Sequence, residues 1–163
     1  MNNFITKQAN GKNSLILLGM VMLINVLLAL TMGGNPYLQP LDLQLYYSPE
    51  KAYELLNAYN ETERFYYIIA ETTLDVIYPL VYAMLFSFIL FMLHKDIRIA
   101  KFPFLITILD YFENAGIVTM LISYPNELHG VARITGLFTT LKWTALTITV
   151  MLVLWGLLKK LKK

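Results

Sequence analysis

Glu71, Asp75, Tyr78 and Tyr82 stand four, three and four residues apart, a spacing that puts all four on one stripe of a helix. Further along, Asp110, Glu113 and Asn114 share one helical face, and Lys142 follows Thr135 and Thr139 on another. What makes these positions chemical is their surroundings, because each lies within a long apolar run. An acidic or basic side chain at the centre of a membrane-spanning helix costs about 2.5–3.5 kcal/mol even on lenient insertion scales. The arrangement of lowest cost turns these groups inward and pairs Lys142 with one carboxylate. The remaining acids among Asp75, Asp110 and Glu113 are then protonated, hydrogen-bonded, hydrated or bound to a ligand.

Such an excess of acid draws amines, cations or protons. It also permits general acid–base chemistry, with Asp75, Asp110 and Glu113 as the candidate catalytic groups and Lys142 tuning their charge. A third possibility is a proton or cation relay, because the carboxylates are spread in depth from Glu71 through Asp75 and Glu113 to Asp110. A fourth is assembly, in which the polar faces meet another protein. The threonines of the last apolar segment and Asn25 read as interhelical hydrogen-bonding groups, and Tyr78 and Tyr82 fit either role. A metal site made of Glu71, Asp75, Asp110 and Glu113 would suit only a hard cation. The expectation is no metal and no cofactor.

Several classes are excluded. There is no cysteine, so thiolate chemistry and disulfides are absent. The Gly-rich phosphate loop, the serine elbow and the His-Glu zinc motif are missing too. The net charge of +2 is small, and the basic residues sit at the edges of apolar runs, so no nucleic-acid partner is expected. His94 and His129 lie at the ends of such runs and read as solvated.

The elements that must position this chemistry are helices in a bilayer. Of the 163 residues, 57% are hydrophobic and 15% charged, and the mean hydropathy is +0.55. The apolar residues gather in runs near the roughly 20 residues that cross about 30 Å of hydrocarbon. Four spans are expected, at about 14–32, 65–93, 102–124 and 131–158. The fold class is therefore all-α, a polytopic four-transmembrane-helix bundle forming a single membrane domain over 1–163. Gly33, Gly34, Asn35 and Pro36 end the first span. That span is long for a signal peptide and has a poor cleavage site, so it reads as a retained helix. Pro79 kinks the second span and frees a carbonyl that a neighbour has to satisfy.

Between the first two spans, 37–48 reads as a loop and about 49–60 as a short amphipathic helix. Ser48-Pro49-Glu50 supplies an N-cap hydroxyl, a proline at the first helical position and an acid beside the helix dipole. This helix is too short to span, and it is expected to lie at the interface or cover the bundle's mouth. Asn60-Glu61-Thr62 is a glycosylation triplet on the same side.

Orientation follows the basic residues. Nine of them (Lys7, Lys12, Lys95, Arg98, Lys101, Lys159, Lys160, Lys162 and Lys163) fall on the side of the termini, against Lys51, Arg64 and Arg133 on the other. Both termini are therefore expected in the cytoplasm. The lysine-rich end anchors topology and attracts anionic lipid. Tyr46, Tyr47, Tyr53, Tyr59, Tyr66, Tyr67 and Tyr124 are expected as an aromatic belt at the outer interface. A rise of 1.5 Å per residue puts Asp75 and Lys142 roughly 10–15 Å deep and Glu113 about 16 Å deep, close to one level.

The set Arg64-Phe65-Tyr66, Asp75, Pro79, Tyr82 and Asp110-Tyr111-Phe112-Glu113-Asn114 resembles small four-helix microbial membrane proteins of unassigned function. More faintly, Glu71, Pro79, Tyr82 and Ala83, with the lysine-rich tail, resemble the emopamil-binding and sigma-2-receptor type. There an acid precedes a proline and a tyrosine in the second span. That likeness implies binding of sterols and hydrophobic amines, with sterol isomerisation in some members. This chain departs from it in having no acid in its first span and in carrying Asp110 and Glu113 in its third.

The leading expectation is an acidic pocket in the outer half of the bundle, formed by Glu71, Asp75, Tyr78, Tyr82, Asp110, Glu113, Asn114 and Lys142. Its partners are the lipid bilayer and a small hydrophobic or cationic ligand, with a homo-oligomer left open.

Overall fold

The computed structural model describes residues 1–31 and 38–162, all helical or irregular, with no strand among them. The expected terminator Gly33 to Pro36 lies outside the described residues, as do Met32 and Lys163. The helices are α1 (Asn2–Gln8), α2 (Gly11–Thr31), α3 (Pro49–Ala58), α4 (Glu61–Thr72), α5 (Leu74–His94), α6 (Ile97–Lys101), α7 (Pro103–Ser123) and α8 (His129–Leu161). Four stretches are long and apolar enough to cross a membrane: α2, α5, α6 with α7, and α8.

Helix α7 packs against both α8 and α5, and α2 leans mainly on α5. Burial on α7 falls at Ile106, Thr107, Asp110, Glu113, Asn114, Ile117, Met120 and Leu121, the three-and-four spacing of one face. The α7–α8 crossing is close because Gly116 faces Thr135, and a Cβ on Gly116 would overlap that side chain.

The expected second span, 65–93, is not one helix. It divides at Thr73, whose φ of −122° and ψ of −81° leave the helical region. The Thr72 and Thr73 hydroxyls donate to the carbonyls of Ile68 and Ile69 at 2.6 and 2.5 Å. The Thr73 amide shifts to the carbonyl of Ala70. Two adjacent threonines thus compete for acceptors that the helix needs. Helix α4 begins in a capping box, with Asn60 and Glu63 each accepting from the other's amide. The Asn60 side chain is therefore a structural cap.

Pro79 lies inside α5, where it removes the amide that would bond the carbonyl of Asp75. Asn114 on α7 donates its Nδ2 to that carbonyl at 3.1 Å. Tyr111 donates to the carbonyl of Val76 at 2.7 Å, and Thr107 to that of Pro79 at 3.0 Å. One polar stripe of α7 follows the backbone around the proline.

Apolar clusters close both ends. At the α3 end, Leu41, Tyr47, Tyr53, Leu56, Tyr59 and Tyr67 pack over Ile117, Met120 and Ala132. At the α6 end, Ile5 of α1 packs with Phe88 and Ala100. The polar start was not expected to be helical, and Ile5 holds it there fully buried. The tyrosines correct the aromatic belt. Tyr46 and Tyr66 are exposed, but Tyr47, Tyr53, Tyr59 and Tyr67 are almost fully buried. Three of the buried hydroxyls are engaged within the protein: Tyr67 donates to Asp42 and accepts from the Leu41 amide, Tyr53 accepts from the Leu128 amide, and Tyr47 pairs with the Thr139 hydroxyl.

Candidate functional site

Between the two apolar clusters lies a cavity of about 620 Å³. Its walls are α2 (Leu18, Val21, Asn25, Leu28, Ala29) and α8 (Lys142, Trp143, Leu146, Val150), with α4, α5, α7 and the segment before α3 supplying the rest. The stripe Glu71, Asp75, Tyr78 and Tyr82 lines it intact despite the break at Thr73. The break reorients α4 without removing Glu71 from the set.

Asp110 also lines the cavity, and Lys142 Nζ bonds its Oδ1 at 3.2 Å. The same ammonium contacts Glu113 directly. Glu113 is 0% exposed, does not line the cavity, and accepts from the Thr139 hydroxyl at 2.6 Å. Asn114 likewise lies behind the wall and donates to Asp75 Oδ2 at 2.8 Å. Two of the eight expected site residues therefore position others instead of facing the cavity. For Glu113 the reason is the length of the Lys142 side chain, which reaches past the wall to it.

The single expected ion pair is a bridge: one lysine serves Asp110 and Glu113 together. Tyr82 donates to the other oxygen of Asp110 at 2.5 Å, a short bond of the charge-assisted kind. Tyr78 accepts from Asn25 Nδ2 at 2.9 Å, which ties α2 to α5 at the cavity. Glu71 is different. It is 3% exposed, and its Oε2 is buried with no hydrogen-bond partner.

Three lining residues were not anticipated. Asp42, in the 38–48 segment, accepts from the Tyr67 hydroxyl at 2.9 Å and offers its backbone carbonyl to Lys142 Nζ at 3.3 Å. Tyr67 was assigned to the interface, and Trp143 was not singled out. The segment reaches the bundle as a strap: Pro40, Asp42 and Leu43 line the cavity, and Leu41–Leu43 form one 3₁₀ turn. Gly136 lets the strap lie flat on α8, since a Cβ there would come within 2.8 Å of the Tyr47 carbonyl. No residue of α3 lines the cavity, so the strap covers it where the amphipathic helix had been expected to. An acid flanked by leucines in Leu41-Asp42-Leu43 was the available signal.

Among the described residues, the site holds five carboxyl groups (Asp42, Glu71, Asp75, Asp110 and Glu113) around one ammonium, that of Lys142. Burial pushes the phenol of Tyr47, on the strap, well above its ordinary range, so it enters as a neutral hydroxyl. No protein-family model, curated protein or solved structure matches this chain. The function must be read from the geometry. His94 corrects the last expectation, because its Nε2 bonds the Leu152 carbonyl at 2.9 Å and its ring packs on Trp155 instead of standing in solvent.

Proposed function

We propose that this chain is a multi-pass membrane protein with cytoplasmic termini that binds a small amphiphile with a cationic head. The observation that carries the reading is Glu71, whose buried Oε2 has no hydrogen-bond partner, in a cavity whose lining acids outnumber its one lysine four to one. An amine supplies what Glu71 lacks, and the neighbouring acids Asp42 and Asp75 reinforce its attraction. Leu85, Phe86, Leu146 and Val150, also on the wall, suit an apolar body. A cavity of this volume lies within the range of about 300–1,000 Å³ used for drug-sized ligands.

A through-pathway for protons or cations fits less well, because the Ile5, Phe88 and Ala100 cluster stands between the cavity and the cytoplasmic side. Acid–base catalysis has one observation in its favour, the short Tyr82–Asp110 bond facing the cavity. Turnover of membrane lipid by the purified protein would support that second reading.

The test uses lipid nanodiscs and calorimetry. A long-chain primary alkylamine is expected to bind saturably and an alkyl sulfate of equal length is not. Asp75→Asn and Glu71→Gln both weaken the amine. Equal binding of the two amphiphiles, or an amine affinity unchanged in both variants, would overturn the proposal.

A further inference from the structure

Two polar atoms of cavity-lining residues lack a partner, and they are of opposite kinds. Glu71 leaves an acceptor unused at Oε2, and Trp143 leaves a donor unused at its indole Nε1. A buried polar atom without a hydrogen bond costs roughly 1–3 kcal/mol, so each calls for a ligand group. An ammonium satisfies the first and has nothing to offer the second, since it carries no acceptor. The Asp110 carboxylate on the wall is already engaged: one oxygen accepts from Lys142 and the other from Tyr82. Nor does an anionic group suit the Trp143 position, because the lysine of this wall is already shared by two acids.

Resting on the reading above, we infer that the ligand carries two polar groups in a fixed order. An ammonium meets Glu71, and a neutral oxygen acceptor (hydroxyl, amide or ester) next to it takes the Trp143 indole N–H. A single apolar chain then runs on toward Leu146 and Val150. The order follows from the helices. Trp143 is one residue beyond Lys142 on α8, and Leu146 and Val150 lie about one and two turns further from the strap. Glu71 lies at the strap end of the wall, one helical turn from Tyr67, which bonds Asp42 of the strap.

The chemical class is thus a long-chain amino alcohol or an amine-headed amide or ester, in place of a bare alkylamine. The probes are a long-chain 2-amino alcohol and the n-alkylamine of the same chain length, titrated into the protein in nanodiscs and read by calorimetry. The expected result is a preference of about tenfold for the amino alcohol, the scale of one well-placed hydrogen bond. Trp143→Phe brings the two probes to parity, and Glu71→Gln weakens both. Equal affinities in the unaltered protein, or a preference that survives Trp143→Phe, would overturn the inference while leaving amine binding intact. Failure of either amine to bind better than an alkyl sulfate would remove the underlying reading instead. The wild-type comparison decides the matter even if a variant fails to fold.

Discussion

Replacing Lys142 by methionine keeps an unbranched stem of similar length and removes one charge that two acids share. Asp110 is 4% exposed and Glu113 is 0% exposed, so neither gains water in exchange. Breaking a buried pair by deleting one partner costs about 3–5 kcal/mol, because a charge is left uncompensated. Two acids depend on this lysine, so Lys142→Met belongs at the upper end of that range. Glu113→Gln leaves Lys142 still paired with Asp110 and should cost less. The decisive variant is the triple, Lys142→Met with Asp110→Asn and Glu113→Gln, in which no unpaired charge remains. It should recover most of the loss, since a buried ionic network replaced by neutral groups is often no less stable. Reversible denaturation in mixed micelles, followed by circular dichroism, reads all four proteins. If Lys142→Met matches the wild type, or if the three substitutions simply add, the bridge is not the centre of this polar layer.

Asn114→Leu removes both donations to Asp75, one to the carbonyl that Pro79 orphans, and should cost about 1–3 kcal/mol; in a Pro79→Ala background, where the backbone bond is restored, chemical denaturation should show a smaller cost. Gly136→Val displaces the Tyr47 carbonyl and lifts the strap, which hydrogen exchange should register as lost protection at the Leu41 amide with little change in α7. Burial raises the phenols of Tyr47 and Tyr59 above their ordinary range. The stability they lend is whole below the unfolded phenol's value of about 10 and is lost as pH climbs beyond it toward the folded value. Tyr59→Phe, which deletes a hydroxyl without a partner, should therefore be tolerated at pH 7 and flatten the alkaline loss measured by circular dichroism.

The sequence revealed what periodicity and burial cost control. Four apolar runs gave four membrane-length helices, and the Glu71–Tyr82 stripe survived into the cavity wall because helical spacing dictates it. The proline rule anticipated a freed carbonyl near Asp75, and Asn114 answers it. Depth along the helices foresaw Lys142 meeting Glu113. What stayed hidden depends on contacts made at long range. Nothing local marks Thr73 as a break, because the competing hydroxyls belong to a pair of threonines that many helices accommodate. Asp42 looked like a loop acid until the strap brought it to Tyr67 and Lys142. The buried tyrosines have the composition of an interfacial belt, and only their partners tell the two apart. Glu113 and Asn114 were expected on the cavity surface, but sequence spacing cannot say which members of a buried face stand in front.

The protein has two tryptophans, Trp143 on the cavity wall and Trp155 near the far end of α8. In a Trp155→Phe background the remaining indole reports on the cavity alone. Titrating that protein in nanodiscs with a long-chain primary amine should give a saturable change in Trp143 emission at one ligand per chain, shifted to higher amine concentration by Glu71→Gln. Emission that drifts without saturating, to the same extent with and without the Glu71 carboxylate, would contradict an acidic ligand cavity in this bundle.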